Sequence, residues 1–213
     1  MAGEQVRSQQ RHERILDAAI RVFSRRGYHD STVDEIAIES ETSKGGFYFH
    51  FPNKQAIFLA LLDRMAAMLR SRAEKAIDSQ LDPISKADSA LRVAFETFAD
   101  HPRLTRLFLV ESMGTGRDFH ERLAAARSSF AELIEKHLDE AVAQGAIPPL
   151  DTAIASRVWF GALNEVVTAW VLADPPGDLQ AAYPTIRYLL FQSVGVHAVA
   201  PVPALPATNG GPA

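Results

Sequence analysis

The segment 43–54, SKGGFYFHFPNK, holds the most specific chemistry in the chain: two lysines, a histidine and a tyrosine, with no acid among twelve residues. Lys44 and Lys54 are cations. The Tyr48 phenol and the His50 imidazole can donate to phosphate oxygens, and the ring carbon of Tyr48, Phe49 and His50 suits a sugar or a thymine methyl. Gly45 and Gly46 cost about 1 kcal/mol each relative to alanine inside a helix. They are poor choices for a core helix and good ones where a backbone approaches a duplex. Lys54 opens the following helix, the unfavourable end for a cation, which makes sense if a phosphate lies between its ammonium and the free N–H groups. Thr32, at the start of an earlier short helix, offers a similar anchor and equally well serves as a plain N-cap. The competing readings are core for the aromatics, above all Phe47 and Phe51, and solvated surface for Tyr48, His50 and Lys54.

Other chemistry is missing. With no cysteine there is no disulfide framework, thiolate metal site or thiol nucleophile. No GxSxG, P-loop, HExxH or dinucleotide-binding glycine pattern occurs, and the seven histidines are scattered. The expectation is a non-enzyme with no metal and no cofactor.

The elements that must position segment 43–54 are helical throughout, because the apolar residues recur at 3–4-residue spacing and period-2 strand patterns are missing. The spacing predicts an all-α chain of about nine helices. The first covers 8–26, with Ile15, Ala18, Ala19, Val22 and Phe23 on one face and Gly27 as its stop. A short helix follows the capping box of Thr32 and Glu35, and a very short one covers 44–50. Longer ones cover 54–79, 84–100, 118–144, 151–173 and 178–197, with a short one starting at His101-Pro102. The tail 199–213, with four prolines and two glycines, is expected to be disordered. The polar N-terminus is no secretory signal and no apolar run reaches the roughly 18–20 residues of a membrane span, so a cytoplasmic protein with no membrane partner is expected.

Two short helices joined by a tight turn and flanked by long ones describe a helix-turn-helix. Residues 11–62, RHERILDAAIRVFSRRGYHDSTVDEIAIESETSKGGFYFHFPNKQAIFLALL, resemble the N-terminal DNA-binding region of TetR-family transcriptional regulators. The resemblance implies a DNA-binding domain over 1–54, contacting duplex DNA through Thr32, Lys44, Gly45, Gly46, Tyr48, Phe49, His50 and Lys54. It departs from the family at Glu41, where a glycine is usual in the turn, and this bears on the angle of the second short helix. The charge agrees once it is divided. The whole chain is −4, but 1–54 holds eight cations and eight acids, and 43–54 is locally +2.

Residues 55–198 would then form the family's helical ligand and dimer domain. The run SMGTGRDFHERLAAARSSFAELIEKHLDEAVAQGAIPPLD and the later GALNEVVTAWVL are similar to the acyl-CoA-responsive branch, whose members repress fatty-acid degradation genes. That implies an apolar tunnel lined by Phe98, Leu107, Val110, Phe130 and Phe160, with Asn164 as a polar contact and Arg103 and Arg106 meeting phosphates at its mouth. The last two long helices are apolar on broad faces. Val158, Trp159, Ala162, Val166, Trp170, Ile186, Leu189, Leu190 and Val194 are expected in a homodimer interface, with an intramolecular core as the alternative. The implied function is a repressor released from a palindromic operator by a small apolar effector. The rivals are the same fold with a drug-like or aromatic inducer, and a helical interaction module that binds no DNA.

Overall fold

The computed structural model describes residues 2–109 and 117–197. Among them are nine α-helices and no strand: α1 (Ala2–Asp30), α2 (Val33–Glu39), α3 (Lys44–His50), α4 (Lys54–Asp78), α5 (Pro83–Asp100), α6 (Pro102–Leu109), α7 (Arg117–Ala143), α8 (Thr152–Leu172) and α9 (Tyr183–Ser193). A 3₁₀ turn, Leu179–Ala182, precedes α9. Val110 and the tail 199–213 lie outside the described residues.

Side-chain caps set most helix starts, because the first N–H groups of a helix lack partners within it. Thr32 accepts from the Glu35 N–H while the Glu35 carboxylate accepts from the Thr32 N–H, a complete capping box. Ser43, Asn53, Asp82 and Asp151 cap α3, α4, α5 and α8 in the same way. Two ends differ from expectation. α1 begins at Ala2, where Ala2, Glu4, Arg7 and three glutamines are good helix formers although the segment carries no apolar stripe. Gly27 breaks α1 at φ 76° and ψ 165°. α9 stops at Ser193, where Gly195 turns the chain at φ 82°, and Asp178 caps the 3₁₀ turn instead of α9.

The core lies in two clusters. In the head, Ile15, Val22 and Phe23 of α1 meet Ile36 of α2, Phe47 of α3, Ile57, Phe58 and Leu61 of α4, and Leu104, Leu107 and Phe108 of α6. In the body, Leu91 and Phe95 of α5 pack with Leu138 of α7, Trp159 and Val167 of α8, and Tyr183, Ile186, Leu190 and Phe191 of α9. Each fully buried large side chain contributes about 1.5–3 kcal/mol. Phe98 packs against both clusters. A polar staple ties α5 to α9: the Tyr183 hydroxyl and Arg187 Nε (2.7 Å) both donate to the Asp88 carboxylate. Burial, reinforced by Asp88, holds the Tyr183 phenol well above its ordinary pKa.

Candidate DNA interface and effector cavity

The turn between α2 and α3 is closed by two backbone bonds, Thr42 N–H to Ala37 O (2.9 Å) and Glu41 N–H to Ile38 O (3.0 Å). This is the Schellman arrangement, which needs a left-handed residue at its centre. Glu41 supplies it at φ 53°, a conformation that costs an L-residue about 1–2 kcal/mol. The turn keeps its geometry and glutamate bears the strain.

Phe47 and Phe51 are buried and seat α3 on the head core. The outward face of α3 is Lys44, Gly45, Tyr48 and Phe49. Phe49 is 79% exposed and Tyr48 46%, so the fold itself makes little use of these rings. The two glycines differ. A Cβ at Gly46 would lie 2.7 Å from Thr42 Cγ2, so a side chain there would have to displace Thr42, whereas a Cβ at Gly45 meets nothing. Lys44 pairs with Asp34 at 2.8 Å, both side chains being exposed, and this hydrogen bond raises the lysine pKa. Thr32 is exposed, with its hydroxyl engaged by Glu35.

Two sequence expectations change here. The Lys54 ammonium donates to the carbonyls of Tyr28 (2.6 Å), His29 (2.9 Å) and Ser31 (2.8 Å) and sits over the Tyr28 ring at 4.6 Å. Its three protons are taken, so Lys54 ties the turn that follows the break at Gly27 to the start of α4 and presents none to a phosphate. His50 points Nε2 inward, buried and without a partner, beside His12 at 5.8 Å. Burial, then the charges of His12 and Arg11, lower its pKa, so Nε2 is not the atom that would meet a phosphate.

The body holds a partly open cavity of about 200 Å³ between α4, α5, α7 and α8. On α4 its wall runs from Leu62 to Ile77, about 22 Å at the helical rise of 1.5 Å per residue. Small residues (Ala87, Ala90 and Ala94 of α5, Ala126 of α7) leave the space open. Phe98, Phe130, Phe160 and Asn164 line it. Leu107 does not; it is 1% exposed in the head core. Arg103 is exposed and outside the wall. Arg106 Nη1 is spent on the Val171 carbonyl at 3.0 Å. The wall's cations are instead Lys86 and Arg127, with His137 near its far end. Sequence periodicity overlooked these three because each interrupts an otherwise apolar lining.

The α8–α9 face also divides. Trp159, Ile186, Leu190 and Val194 are buried within this one chain and so belong to its own core. Ala162, Val166 and Trp170 pack partly against that core. Val158 and Leu189 stay exposed, joined on the surface of α8 by Ile154 and Leu172.

Residues 15–61 match the bacterial regulatory proteins of the tetR family, and 61–193 match the YsiA-like protein C-terminal region. The chain belongs to the TetR family. This TetR-family regulator is 26% identical to the fatty acid metabolism regulator protein of Bacillus subtilis over 88% of its length and 96% of the relative's. It also resembles the solved fatty acid degradation regulator FadR of Bacillus halodurans (TM-score 0.81, 25% identity, 89% of this chain and 97% of that one). FadR of Bacillus subtilis in complex with stearoyl-CoA is similar too (TM-score 0.77, 26% identity, 86% of this chain and 98% of that one). The TetR-family chain is therefore a DNA-binding transcriptional regulator and not an enzyme. Among its described residues no helix is long and apolar enough to cross a membrane.

Proposed function

We propose that the chain is a cytoplasmic homodimeric repressor that holds a palindromic operator and releases it when a long-chain acyl-CoA enters the body. The observation that carries this reading is the cavity: apolar, lined by alanines, and about as long as an extended long acyl tail. The stearoyl-CoA complex of the similar FadR supports it. Operator contact falls to the exposed face of residues 1–54, namely Lys44, Gly45, Tyr48 and Phe49 with Thr32. Residues 55–198 carry effector and dimer. The exposed apolar residues Ile154, Val158, Leu172 and Leu189 supply the face a second copy covers, and a two-fold dimer sets two α3 helices on half-sites about 34–36 Å apart.

The small volume suggests how release works. At about 200 Å³ the cavity is smaller than the 300–1,000 Å³ usual for ligand sites, so a long tail must part the helices around it. It therefore binds the widened state better, which is the differential affinity that shifts a population. Phe108 lies in both the cavity wall and the head core. Its ring packs on Phe58 at 5.5 Å, Phe58 on Tyr28 at 4.5 Å, and the Tyr28 carbonyl holds Lys54. Widening is thereby delivered to the α1–α4 junction, which aims α3. Of the wall's cations, Lys86 and Arg127 are the candidates to meet coenzyme phosphates.

Titrating the purified protein on a labelled operator with acyl-CoA of increasing chain length tests the reading. Release is expected to strengthen with length up to long chains. A flat response across all lengths rejects the acyl-CoA effector, and release by drug-like or aromatic compounds in its place favours the other inducer class.

A further inference from the structure

The eight cations of segment 1–54 are unequally engaged. Arg21 and Arg25 hold Glu39, Arg26 holds Glu35, Lys44 holds Asp34, and Lys54 holds three carbonyls. Among the described residues the remaining three, Arg7, Arg11 and Arg14, are exposed and make no ion pair or hydrogen bond. Their spacing of four and three puts them on one side of α1, over a rise of about 10 Å, roughly three phosphate steps of one strand. All three lie in the part of α1 that precedes its first buried residue, Ile15, so no core reason explains them. Their acidic neighbour Glu13 is engaged by Gln9 (3.1 Å) and Arg64 (3.4 Å) instead.

The segment sits beside the end of α3. His12 stacks on Phe51 at 4.7 Å and meets His50 edge-on at 5.8 Å, and the charge of Arg11 reaches the His50 imidazole. An unpaired arginine row next to a DNA-reading helix is an electrostatic footprint for the same polyanion.

We infer that Arg7, Arg11 and Arg14 form a second DNA-contact surface, gripping backbone phosphates outside the bases faced by α3. The inference rests on the chain being a DNA-binding regulator. The contact adds affinity without sequence preference, since phosphates carry no base information.

The test uses the full chain, a fluorescein-labelled duplex of mixed sequence, and anisotropy titrations from about 50 to 200 mM NaCl. The variant R7Q/R11Q/R14Q keeps helix-forming side chains. Each lost phosphate contact lowers the magnitude of the slope of log K against log salt by about 0.9, so about 2.7 is expected per bound subunit and about 5.4 for the dimer. The variant R72Q/K75Q/K136Q removes the same charge from the body and is expected to keep the wild-type slope. An unchanged slope in the arginine variant overturns the inference, as does an equal fall in both variants, which would make the effect one of overall charge. Wild-type protein showing no salt-dependent binding would instead refute the DNA-binding reading itself.

Discussion

Replacing Lys54 by methionine separates two accounts of that residue. The substitution keeps the apolar stem and removes the ammonium that serves the Tyr28, His29 and Ser31 carbonyls. Hydrogen bonds to a charged group contribute about 1.5–3 kcal/mol each, but these three share one partly solvated ammonium, so a total loss of about 2–4 kcal/mol is expected. The contact with the Tyr28 ring, 4.6 Å away, adds about 0.5–1 kcal/mol. At about 2–4 °C per kcal/mol for a chain of this size, Tm falls by roughly 5–20 °C. Operator affinity falls as well, because the junction that aims α3 loosens. The salt slope of DNA binding does not change, because no phosphate contact is lost. Thermal unfolding and a salt titration on the same preparation decide the matter. An unchanged Tm with a slope reduced by about 0.9 per subunit, about 1.8 for the dimer, would refute the carbonyl-holding role and restore a phosphate contact.

Glu41→Gly removes the left-handed strain of about 1–2 kcal/mol at the cost of a more flexible unfolded chain, about 0.4–1 kcal/mol. The net is a stabilisation of about 0.5–1 kcal/mol, visible as a higher urea midpoint; a lower midpoint would contradict the strain. The folded His50 ring binds its proton less readily than an unfolded one, because burial lowers its pKa. As pH falls below about 6.5 the unfolded state takes up more protons. The wild type therefore loses stability from that point down to the folded-state pKa, and His50→Gln loses less; parallel urea midpoints at neutral and acid pH in the two proteins would exclude this. Val158→Glu with Leu189→Glu, both at exposed positions, should yield a folded monomer in sedimentation. Trp159→Ala, made inside the core, should cost about 3–5 kcal/mol of stability. If the double glutamate variant still sediments as a dimer, this face is not the interface.

What could be read along the chain was mostly local. Thr32 with Glu35, and Gly27 after an apolar stripe, each act over a few residues, and each appears where the sequence places it. Phe47 and Phe51 were legible as core because four-residue spacing puts them on one side of α3. Lys54 was not, since its carbonyl partners stand 23 to 26 residues earlier and meet it only after α1 and α4 pack. His50 depends in the same way on where His12 lies. On α8 and α9, periodicity shows apolar residues on broad faces but not which face the chain covers with itself. Trp159 and Val158 are neighbours in sequence and fall on opposite sides of that division. The cavity's cations escaped notice because one Lys86 or Arg127 on a long helix looks like ordinary solvated charge.

α6 supplies Leu104, Leu107 and Phe108 to the head core, and this limits how the regulator can be taken apart. Severing the chain after residue 54 would strip Phe23 and Tyr28 of Phe58, their ring neighbour at 5.8 and 4.5 Å, and open the interior to water. The reading head is thus no interchangeable cassette. A chimaera that borrows it must bring the first turns of α4 and the whole of α6, and with α6 comes one wall of the effector chamber.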